Sequence, residues 1–162
     1  MKRIALFVLL AAALRMSGWL PFENRDVADL VPIQALVVSL DGETVVLDGG
    51  EAEGRGGDWM AALDDLKQGA DGDVFLGTAE HVVLSGPAVK LLPEIVESSA
   101  LRPAAVVCFA PGQPPDPSEA VDYLAARDSD WTVQQIRAAL LQGKTVRLPC
   151  LVETEGGLRL YE

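Results

Sequence analysis

The chain has 162 residues, 49% apolar and 23% charged, which is enough to bury a core unaided and too apolar for a disordered segment. Its formal charge is −11, and since the first 18 residues hold Lys2, Arg3 and Arg15 and no acid, the remainder is more acidic still. Nucleic acid and anionic membrane surfaces would repel such a body, so no nucleic-acid partner is expected, whereas a cationic ligand or a basic partner patch is electrostatically permitted.

Lys2-Arg3, the eleven-residue apolar run Ile4–Leu14 and the polar stretch Arg15–Trp19 have the layout of an export signal. The run is shorter than the roughly 20 apolar residues of a transmembrane helix. Residues 1–18 therefore read as an export signal or N-terminal membrane anchor, and residues 19–162 as a single domain. Cleavage near Ala11–Ala13 or after Gly18 and retention as an anchor both stay open.

Pro21–Asp29 reads as a tether, with Val27–Leu30 long enough for one helical turn. The β-branched runs Ile33–Asp41 and Thr44–Asp48 flank Asp41-Gly42 and predict a hairpin, of the kind whose two central residues both take positive φ. Gly49–Gly57 holds five glycines in nine residues and reads as a mobile connector. A phosphate cradle is disfavoured there, because neither Gly-Lys-Ser/Thr nor Gly-x-Gly-x-x-Gly is present and Glu51 and Glu53 would repel the anion.

Asp58 is placed to cap a helix whose Trp59, Leu63 and Leu66 recur at helical spacing, with Met60 alongside and Gly69 as the stop. Asp64 and Asp65 fall on its outer face. Val74–Leu76 and Val82–Leu84, bracketed by glycines, read as a central strand pair or as one strand bent at Gly77. Short helices are expected over 87–91 and 94–99, separated by Pro93. Pro103–Ala110 reads as a strand buried on both faces. Asp116, Pro117 and Glu119 begin a helix over 117–127 that buries Val121 and Leu124, and Ser129-Asp130 begin another over Trp131–Leu141. Thr145–Glu153 and Leu158–Tyr161 form a second hairpin around Glu155–Gly157. The fold class that follows is α/β of the α+β type: one mixed parallel and antiparallel sheet, amphipathic helices packed on it, and hairpins near both ends.

Chemistry-bearing residues are sparse. His81 is the single histidine, so any serine or cysteine triad must use it; as a lone histidine beside apolar strand residues it reads first as a structural group. Asp41 and Asp48 sit in turn positions where local capping accounts for them. Cys108 and Cys150 each lie in an apolar run; two free core thiols are the favoured reading and a disulfide the alternative. Two isolated cysteines and one histidine do not make a metal site. No catalytic, cofactor-binding or metal-ligating residue is nominated, and no cofactor is expected.

Met16–Leu30, Val37–Asp41, Asp58–Lys67, Phe75–Gly86 and the pair Val146–Val152 and Gly156–Tyr161, taken in order, resemble the Ger(x)C family, the membrane-attached C subunits of spore germinant receptors. Trp19 follows Ser17-Gly18 where that family carries its lipid-bearing cysteine, and the likeness extends over the family's N-terminal domain only. The resemblance implies an exported, membrane-associated and non-enzymatic component of a spore germination complex, at the cell envelope or the outer face of the spore inner membrane. Its partners would be other germinant-receptor subunits, with the membrane reached through the N-terminal segment. The alternatives are a secreted hydrolase using His81 with a carboxylate, and a small-solute-binding domain.

Overall fold

The computed structural model describes residues 30–127 and 131–161. In chain order these form strands β1 (Leu30–Pro32), β2 (Ala35–Asp41), β3 (Thr44–Asp48) and β4 (Glu53–Gly56), helix α1 (Trp59–Gly69), β5 (Asp73–Phe75) and β6 (His81–Ser85). Then follow helix α2 (Leu92–Glu97), β7 (Val106–Ala110), helices α3 (Pro117–Leu124) and α4 (Val133–Leu141), and strands β8 (Cys150–Thr154) and β9 (Gly157–Tyr161). Short 3-10 turns over Leu76–Thr78 and Gly86–Leu91 lead into and out of β6.

Seven strands make one sheet in the order β4-β3-β2-β6-β7-β8-β9, while β1 and β5 make a separate parallel pair. Strands β2, β6, β7 and β8 run parallel; the β2–β3–β4 meander and the β8–β9 hairpin add antiparallel strands at the two sides. The mixed sheet with hairpins near both ends is thus the architecture. Parallel neighbours need crossovers, and the helices supply them.

Residue alternation along the central strands feeds two cores. On the front face Leu36, Val38, Val82, Leu84 and Val107 pack with Trp59, Leu63 and Leu66 of α1, Ile95 and Val96 of α2, and Val133 and Ile136 of α4. On the back face Val37, Val83, Cys108 and Ala110 meet Ala120 and Leu124 of α3 and Leu151 of β8. Both cysteines are free, and burial pushes the Cys108 thiol up to about 12. All five residues of β6 are buried, so this strand has cover on both faces.

Several boundaries depart from the sequence expectation for physical reasons. Val74–Leu76 does not pair with Val82–Leu84: β5 lies beside β1, and the 3-10 turn after it diverts the chain, with Thr78 Oγ1 donating to Ile33 O (3.0 Å) and Phe75 O (2.7 Å). The first hairpin forms, but only Gly42 takes positive φ (63°) and Glu43 does not, so its turn is of the glycine-first kind. The helix start expected at Ser129-Asp130 lies outside the described residues; α4 is capped by Thr132, whose hydroxyl accepts from Gln135 N (3.3 Å) while Gln135 Oε1 accepts from Thr132 N (2.8 Å). Residues 1–29, with the export segment and the Val27–Asp29 part of the expected helical turn, also lie outside the described residues, and Leu30 opens β1. Among the described residues no helix is long and apolar enough to cross a membrane.

The largest correction concerns Gly49–Gly57, expected as a mobile connector. Glu53–Gly56 is a strand, and its glycines are there for contact. A Cβ at Gly54 would fall 2.4 Å from Ala62 O and Leu66 N, and one at Gly56 would fall 2.3 Å from Ala62 N. The backbone of α1 therefore lies directly on the backbone of β4, a spacing any side chain would forbid. Gly54→Ala or Gly56→Ala should destabilise the protein by about 1–3 kcal/mol, as overpacking does, whereas Gly57, with nothing within 4 Å of its Cβ position, should accept alanine with little change. Chemical denaturation of the three variants checks this.

Candidate functional site

The carboxyl ends of the parallel strands β2, β6 and β7 point the same way, and in α/β sheets this is where ligands bind. A cleft of about 570 Å³ opens there on the back face of the sheet. Its floor is the outward face of the meander, with Ser39 and Asp41 from β2, Val46 and Asp48 from β3, and Glu53 and Arg55 from β4. Its far wall is Ser85 with Gly86 and the loop Gly112–Pro114 after β7. The front face of the same strands is sealed by α1, and α3 packs on the back face against β2, β6 and β9, so the cleft is a part of the sheet that the described residues leave open.

Each polar group has a local explanation. Alternation puts Glu53 and Arg55 on one face of β4 because Gly54 and Gly56 must face α1. Arg55 Nε donates to Glu53 Oε1 (2.8 Å), and its Nη1 lies 3.6 Å from Asp41 Oδ2. These ion pairs are exposed and contribute little to stability, but they orient the one guanidinium that lines the cleft among the described residues. Asp48 Oδ1 accepts from Gly50 N (2.8 Å), the local turn role its position suggests. Ser85 is buried, and its hydroxyl donates to Gly112 O (3.1 Å), joining the β6 and β7 ends.

This arrangement presents carboxylates, one guanidinium and amide groups, which suits binding of a cationic or polar surface. Among the described residues the Ser85 hydroxyl has a main-chain carbonyl, not a basic side chain, as its hydrogen-bond acceptor. Among the described residues no group of three or more His, Cys, Asp or Glu side chains could hold a metal ion. A second cleft of about 530 Å³ lies at the start of α3, lined by Gln34, Gly49, Gly50, Glu51 and Asp116. Asp116 there is committed to capping: its carboxylate accepts from Ser118 Oγ, Ser118 N (2.8 Å) and Glu119 N (3.3 Å), and these bonds, the Ser118 hydroxyl's first, hold its carboxyl below the usual range.

His81 stands at the opposite, amino-terminal edge of the sheet, with Ala35 and Val106 as its strand neighbours. It is 7% exposed, and neither ring nitrogen has a hydrogen-bond partner. The only ion pair close by joins its neighbour Glu80 to Arg102 (3.4 Å) among the described residues. Among the described residues no hydrogen bond or ion pair joins His81 to a carboxylate. Sequence reasoning marks the stretches Gly49–Gly57 and Pro111–Pro117, which contain Arg55 and Gln113, as plausible contact surfaces, but it does not find Ser39 or Ser85. The signal available was topological, namely polar or turn residues directly after three buried parallel strands.

No family model, no curated protein and no solved structure matches this chain.

Burial pushes the His81 pKa below its ordinary value; the Glu80 carboxylate opposes that shift and Arg102 adds to it. A histidine held neutral in the fold takes up its proton more readily when unfolded, so its stabilising effect is complete above about pH 6.5 and declines as pH falls from there. Stability should therefore fall between pH 7 and 5.5, and His81→Leu should flatten that part of the profile while leaving stability at pH 7.5 equal or higher. Urea denaturation across the pH series reads this directly.

Proposed function

We propose that the protein is a non-enzymatic binding and assembly module that works outside the cytosol as a component or accessory of a spore germinant-receptor complex, with the back-face cleft as its docking surface. The observation that carries the binding reading is the separation of the two edges of the sheet. Among the described residues the serine of the open polar cleft bonds a main-chain carbonyl and no side chain, and the single histidine is buried at the other end. A two-faced sheet with a polar region that the described residues leave uncovered is a platform for another surface. The placement at the envelope is supported by the basic and apolar layout of residues 1–18, and the germinant-receptor context by the ordered likeness of six stretches from Met16 to Tyr161.

Affinity purification of the tagged full-length chain from membranes of sporulating cells tests this reading. It should recover germinant-receptor subunits, and Arg55→Glu combined with Gln113→Ala, both at exposed positions of the cleft, should reduce that recovery about tenfold or more without lowering the melting temperature by more than a few degrees. Recovery of none of those subunits, or undiminished recovery with the altered cleft, would contradict it.

A further inference from the structure

The two outer strands of the sheet share a device. On β4 the amide of Arg55 points away from β3, and Asp65 Oδ2 on α1 accepts its hydrogen at 2.8 Å. On β9 the hairpin closed by Glu155-Gly156 turns the amides of Gly157, Arg159 and Tyr161 toward β8, which leaves those of Leu158 and Leu160 pointing outward. The outward amide of Leu160 donates to Tyr123 Oη on α3 at 2.8 Å. Tyr123 is held in place by Arg127, whose guanidinium lies 3.6 Å from the ring centroid and whose Nη1 donates to Tyr123 O at 2.7 Å.

Exposed strand edges are templates for pairing, and an incoming strand would sit about 4.8 Å away with a carbonyl about 2.9 Å from the outward amide. Tyr123 Oη already occupies that position. A second obstacle lies within β9 itself. In the antiparallel register that uses the outward amides of both Leu158 and Leu160, pairing of β9 with its counterpart in a second copy sets Leu158 opposite Leu160 and Arg159 opposite Arg159. Like charges directly opposite are destabilising.

We propose that Tyr123 and Arg159 are guards that keep β9 closed to sheet extension by a second copy of this chain, so that partners meet the protein through its faces. Light scattering on the full-length chain over a range of concentrations tests this, with the Tyr123→Phe and Arg159→Thr single variants and the double variant. Tyr123→Phe removes one oxygen and keeps the ring under Arg127. The parent should be monomeric, and the double variant should dimerise at least about tenfold more tightly, with the Leu158 amide slowed in hydrogen exchange. A double variant that melts like the parent and associates no more strongly overturns the proposal, as does a parent dimer in which Leu158 is already protected. If the double variant does not fold, the Tyr123→Phe comparison decides by the same two readouts.

Discussion

Burial of β6 on both faces is the constraint from which the rest of the arrangement follows. Five consecutive buried residues, flanked by parallel partners, cannot be satisfied by a hairpin. Parallel neighbours force the chain to leave the sheet and return, and the excursions become the helices that cover it. The front receives α1, α2 and α4 and the back receives α3. The same strand fixes the polarity of the molecule, with His81 beginning it inside the sheet and Ser85 ending it at the cleft.

The second determinant is the backbone contact between β4 and α1. Because Gly54 and Gly56 bring the helix against the strand, the front of the meander is closed, and the alternate residues Glu53 and Arg55 are turned to the back. The cleft is thus a consequence of where two glycines point. Its guanidinium is steadied by Glu53 and Asp41, and its far wall by the bond from Ser85 to Gly112. A seven-stranded sheet built this way has two outer strands to protect, and Asp65 and Tyr123 each occupy one outward amide.

Much of the fold was legible where one local rule decides. Asp58 and Asp116 are caps, with Asp58 Oδ1 accepting from Ala61 N at 2.8 Å, and Trp59, Leu63 and Leu66 are core. Both hairpins follow from glycine turns, Gly42 at φ 63° and Gly157 at φ 99°. The failures occur where tertiary context outweighs local preference. Glycine-rich composition signals flexibility, yet in β4 it marks close approach, and only the position of α1 distinguishes the two. Val74–Leu76 looks like a partner of Val82–Leu84 by proximity in sequence, but its hydrogen bonds go to β1, whose Leu30–Pro32 has little strand character of its own. Gly49–Gly57 and Pro111–Pro117 are recognisable as contact stretches, but that they share one cleft with Ser39 and Ser85 is not, because these residues are far apart in sequence and none belongs to a motif.

The central claim is that this molecule acts by presenting a fixed surface at the carboxyl ends of β2, β6 and β7, remote from its histidine. Hydrogen–deuterium exchange on the assembly purified from membranes, compared with the isolated chain, addresses it most directly. The account predicts slowed exchange in the segments 39–55, 85–87 and 111–115, with the amino edge around His81 unchanged. Slowing confined to the His81 edge, or no difference anywhere in the sheet, would contradict it.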